Sequence, residues 1–76
     1  MATRLANVDA GGWFRIEDVP DTGLRARLIR LGFLDGPVRC SHRVRNGPVI
    51  IARDGTELAH GASVAGNIEI AEVEGE

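Results

Sequence analysis

Seventy-six residues, 43% of them hydrophobic, with a formal net charge of −2, suffice for one domain (residues 1–76) whose small core needs nearly every large apolar side chain. A single cysteine, Cys40, excludes an internal disulfide, and no apolar run approaches the roughly 20 residues of a membrane span. No basic-then-apolar leader pattern opens the chain, so a cytoplasmic protein without direct membrane insertion is expected.

Met1 to Ala10 offers Leu5 and Val8 as anchors beneath a loosely ordered opening segment, and Gly11-Gly12 marks a turn. Trp13 to Glu17 alternates as a strand, with Phe14 and Ile16 inward and Arg15 and Glu17 outward. Trp13 reads first as a lid over a barrel end and second as a partner contact, because such rings are usually largely buried. Val19-Pro20-Asp21 ends the strand.

The stretch from Leu24 to Gly36, LRARLIRLGFLDG, then supplies one short amphipathic helix, expected from Thr22 to Leu31. Leu24, Leu28 and Leu31 recur at helical spacing as its buried stripe, and Arg25, Arg27 and Arg30 point to water. Asp21 or Thr22 caps its start, and Gly32 provides the left-handed exit. Phe33 and Leu34 fold back beneath the helix before the turn cluster Asp35-Gly36-Pro37.

Val38 to Val44 is the cleanest strand, with Val38, Cys40, His42 and Val44 on one face and Arg39, Ser41 and Arg43 on the other. Asn46-Gly47 marks a hairpin to Val49–Ala52, and Asp54-Gly55 a second tight turn into Thr56–Ala59. Gly61 to Asn67 suits one 3₁₀ turn with Val64 and Ala65 tucked inward. Ile68 to Val73 closes the sheet, and Glu74-Gly75-Glu76 forms a tail. The expected fold is therefore mostly β: a small SH3-like, partly open five-stranded barrel with one short helix inserted after the first strand. A five-stranded OB barrel is the nearest competitor, but its helix is expected later in the chain.

Chemistry is hard to place on this frame. There is no G-x-S-x-G, no phosphate loop and no dinucleotide fingerprint. Cys40 and His42 share a strand face about 7 Å apart, but that face is the core face, where a thiol is inert. Cys40, His42 and His60 are the only soft or borderline metal ligands, and their spacings match no zinc clip; they converge only if His60 lies beside His42. No catalytic residue, cofactor site or metal site is assigned, and no enzyme activity is expected.

Charge is unevenly spread. Residues 25–53 carry seven arginines against one acid, and residues 54–76 six acids and no base. Arg39, Arg43 and Arg45 form one stripe and the helix arginines another, as phosphate contacts would require. A sequence pI near 5.6, the absence of lysine and only three aromatics argue against nucleic acid. A negatively charged protein partner suits the same arginines.

The order of motifs resembles a known family. LRARLIRLGFLDGPV is similar to the LxxRLxxLGhxxGxxV signature of FeoA, the small protein of bacterial ferrous iron transport. TRLANVDAGGWFRI, GPVIIARDGTELA and Ala65-Gly66-Asn67-Ile68 with Ile70 resemble its opening, hairpin and closing patterns. Where that family commonly continues A-L-R, this chain has Ala59-His60-Gly61. The same core resembles the C-terminal SH3-like domain of diphtheria-toxin-repressor-type regulators, which would carry a helix-turn-helix domain ahead of it.

The FeoA resemblance implies an accessory role without catalysis and one partner, the membrane GTP-binding Fe²⁺ transporter FeoB, met through its cytosolic region. Leu24, Arg27, Arg30, Leu31, Phe33 and Leu34 are the candidate docking residues, an arginine-lined apolar groove. Two alternatives stand beside this reading: a stand-alone interaction or metal-regulatory module related to the repressors, and weak self-association through open edge strands.

Overall fold

The computed structural model describes residues 2–73; the tail expected at Glu74–Glu76 lies outside them. Six strands form one antiparallel sheet: β1 (Ala2–Arg4), β2 (Trp13–Asp18), β3 (Val38–Arg43), β4 (Val49–Arg53), β5 (Thr56–His60) and β6 (Glu69–Val73). Their spatial order is β1-β6-β2-β3-β4-β5, so the sheet curls around its core without closing and leaves β1 and β5 as edges. The five expected strands all form. The sixth is β1, which turns part of the supposedly loose opening segment into an edge paired with β6, Thr3 opposite Ile70. Leu5 and Val8, just beyond it, are buried anchors.

One helix of more than a turn is present, α1 (Thr22–Arg30), between β2 and β3. Asp21 caps it: its carboxylate accepts from Leu24 N at 3.0 Å, satisfying one of the free N–H groups of the first turn. At the far end Gly32 takes φ +85°, a backbone angle that costs other residues steric strain. Its N–H donates to Ile29 O at 3.0 Å and Phe33 N–H donates to Leu28 O at 2.9 Å, the paired bonds of a Schellman exit.

That exit corrects the expected stripe. Leu28 is fully buried and Leu24 half-buried, but Leu31 stands 41% exposed. Once the chain reverses at Gly32, Phe33 takes the place under the helix that Leu31 would have held, and Phe33 is buried completely.

A second correction lies in β3. Cys40 pairs with Ile51, but His42 pairs with Ile50, so one extra residue, Ser41, is inserted between them. Side chains alternate along a strand, so this bulge reverses the sidedness beyond it. Val38 and Cys40 point into the core as expected, whereas His42 and Val44 are exposed. Arg43 falls opposite the buried Val49 and donates to Val8 O at 3.1 Å across the end of the core. Arg39 and Arg43 therefore do not share a face.

The third correction is the link before β6. It is a single α-helical turn, α2 (Ala62–Ala65), in place of the 3₁₀ turn, with Ala65 buried and Val64 39% exposed. One side chain ties these parts together without having been singled out in the sequence. The Arg53 guanidinium on β4 donates from Nε to Gly32 O at 2.9 Å and from Nη1 to Pro37 O at 2.8 Å. It lies so close over Gly36 that a Cβ there would sit 2.9 Å from its nitrogens, which is why that position has no side chain.

Candidate functional site

The helix presents one face to the core and another to solvent. Arg25, Arg27 and Arg30 are exposed, and Ile29 (46% exposed) lies among them with Leu31. Of the six residues singled out from the sequence, Arg27, Arg30 and Leu31 are accessible, and Leu24 and Leu34 are half-buried against the core. Phe33 is core and has no surface to offer.

Beside α1 the open edge of the sheet leaves a cavity of about 360 Å³. Leu24 and Arg27 form its helical wall, residues 57–61 along β5 form the opposite one, and Val64 of α2 borders it. His60 lines this cavity, and only 5% of its surface is exposed. Its Nδ1 is buried with no hydrogen-bond partner among the described residues. Burial lowers its pKa from the usual 6.5, and the positive charge of Arg27 lowers it further.

The sign of the resulting pH dependence follows. Between the lowered folded pKa and 6.5 the unfolded chain binds a proton that the folded chain refuses. His60 therefore permits full stability above pH 6.5 and erodes it as the pH falls from there towards the folded pKa. Urea midpoints measured at about pH 7.5 and about pH 5.5 should differ in the parent, and the difference should shrink in His60→Leu. An unchanged difference would assign the titration to other groups.

The expected Cys40–His42 juxtaposition does not form. Cys40 is buried, and its pKa is raised by burial, with Arg43 opposing and Asp9 adding to the shift. Its thiol points at the backbone oxygen of His42, 3.7 Å away, while the His42 ring stands on the opposite side of the bulge. Ser41 Oγ instead bridges His42 Nδ1 at 3.0 Å and Glu57 Oε2 at 3.1 Å, an exposed network that the sequence reading missed because Glu57 lies two strands away. Here the hydroxyl sits between ring and carboxylate, so the carboxylate does not orient the histidine as a nucleophile relay needs. Among the described residues no three His, Cys, Asp or Glu side chains converge as a metal site. No helix among them is long and apolar enough to cross a membrane.

Comparison with known proteins now decides the family. The FeoA domain model matches residues 3–72. The chain belongs to the FeoA family. This places it in ferrous iron transport. A crystal structure described as an iron uptake regulatory protein, FeoA, superposes with a TM-score of 0.76 at 21% identity, covering 96% of this chain and all of that one. A FeoA-like protein from Clostridium acetobutylicum gives a TM-score of 0.72 at 17% identity, covering 99% of this chain and 91% of that one.

A manganese-dependent transcriptional repressor gives a TM-score of 0.74 at 20% identity, covering 95% of this chain but 42% of its own length. These likenesses establish the SH3-like fold common to FeoA proteins and one part of that repressor. No curated protein matches the sequence.

Proposed function

We propose that this FeoA-family chain is a non-catalytic accessory protein that docks on the cytosolic region of the FeoB transporter and modulates its nucleotide handling or assembly. The observation that carries the reading is the exposed face of α1. Ile29 and Leu31 stand among Arg25, Arg27 and Arg30, an apolar centre rimmed by a residue type enriched at interfaces. Leu24 and Leu34 continue that face towards the core.

Titration calorimetry of the chain against soluble FeoB cytosolic region, with and without a GTP analogue, tests it. Arg27→Glu with Arg30→Glu should weaken docking by about tenfold or more. Because both side chains are exposed, stability should move by less than about 0.5 kcal/mol. Affinity that depends on nucleotide supports a role at the transporter's switch, and nucleotide-independent affinity a role in assembly. Undiminished affinity of the double variant would remove this surface from consideration.

A further inference from the structure

The β5 edge meets the cavity beside α1, and its register shows what it offers. The Asp54-Gly55 turn has φ +52° and +84°, a two-residue hairpin of type I′. Its flanking pair, Arg53 and Thr56, is hydrogen-bonded in such hairpins, and antiparallel pairs alternate from there. Leu58 opposite Ile51 and His60 opposite Val49 therefore spend their main-chain groups on β4. Glu57 and Ala59 turn theirs to the open side, where β5 has no neighbouring strand. Both residues are exposed, and both line the cavity.

The walls add side-chain recognition. Leu24, Leu58 and Val64 give an apolar patch, and Arg27 supplies charge. Asp21 and Glu57 also line the cavity, but each carboxylate already accepts from a donor of this chain: Asp21 from Leu24 N and Glu57 from Ser41 Oγ. Arg25, Arg27 and Arg30 have no carboxylate within 4.0 Å among the described residues, whose ion pairs are Arg4–Glu69 and Arg53–Asp54. An anionic guest is thus the complementary one.

We infer that the slot between the β5 edge and α1 receives an extended segment of a partner protein as an added strand, with alternating apolar and acidic side chains. Main-chain bonds to Glu57 and Ala59 hold it, its apolar side chains enter between Leu24, Leu58 and Val64, and a carboxylate meets Arg27. This goes beyond docking through the outer face of α1 and holds for whichever protein supplies the segment.

The test titrates the ¹⁵N-labelled full chain with an acetylated, amidated hexapeptide of alternating valine and glutamate, followed by NMR. The Glu57 and Ala59 amides should shift and exchange more slowly with solvent. N-methylating the peptide nitrogens that face β5 should weaken binding by about tenfold, without altering the protein. Replacing glutamate by lysine in the peptide, or Arg27→Glu in the protein, should weaken it by about fivefold or more.

The proposal is overturned if about 1 mM peptide leaves the two amides unmoved, or if N-methylation changes nothing. It is also overturned if the same amides broaden with protein concentration alone, since a second copy would then own the edge. Failure here leaves calorimetry with FeoB unaffected, and a negative calorimetric result leaves peptide binding to be read independently.

Discussion

Phe33→Ala should destabilise the chain by about 3–5 kcal/mol, a large share of the roughly 5–15 kcal/mol that holds a small domain. Phe33 is completely buried in the cluster formed by Leu28, Phe14, Ile51, Ile68 and Ile70. It also follows Gly32 in the helix exit, where its N–H satisfies Leu28 O. Removing the ring leaves a cavity under the helix that neighbouring strands, already committed to their ladders, cannot refill. The urea midpoint should fall by about 2 M or more with the slope preserved. A loss below about 1 kcal/mol would show that Leu34 or Leu31 can swing in to replace it. The same variant separates packing from docking: any FeoB affinity lost should track the unfolded fraction.

Arg53→Met should cost about 2–3 kcal/mol, although it retains most of the apolar stem. The guanidinium is a charged donor to two carbonyls, and its side chain is only 22% exposed. Without it, Gly32 O and Pro37 O lose their donors, and the loop that turns from α1 into β3 is no longer fastened to β4. The contact with Asp54 at 3.9 Å adds little, since that carboxylate is 86% exposed. Arg53→Lys should recover only part of the loss, because an ammonium cannot reproduce the two-pronged geometry. Hydrogen exchange should accelerate in residues 32–37 before it does so in β4. Equal acceleration in both would mean that Arg53 supports the whole sheet rather than this junction.

Much of the architecture was readable because it is written locally. The Asp21 cap, the Leu24–Leu28 spacing and Gly32 mark a helix and both its ends within a dozen residues. Asp54-Gly55 marks a hairpin in two. The readable family motifs led to the same fold.

What escaped depends on partners distant in sequence. Nothing in Ala2-Thr3-Arg4 alternates, and β1 exists because Ile70 and its neighbours lie alongside. Ser41 carries no turn residue to announce the bulge, so extending the alternation from Val38 misplaced His42 and Val44. Leu31 fits the helical period by number, but the chain stops being a helix one residue earlier. Of the candidate surface, the arginines and Leu31 could be placed from spacing. The slot beside β5 could not, because it needs the strand order, and Arg53 was hidden because its acceptors are backbone oxygens that no side-chain motif records.

The two open edges of the sheet are unequal, and that inequality limits how copies of this chain can multiply. A filament grows only when unlike edges meet head to tail, so that each addition exposes a fresh site. Here that requires the five residues of β5 to pair with the three described residues of β1, a mismatch that gives few bonds per joint. Pairing β5 with β5 instead matches like with like around a two-fold axis and consumes the longer edge of both copies at once. Such an assembly ends at two. The short first strand therefore acts as a terminator: it fills one side of β6 while offering little on which another sheet can be built.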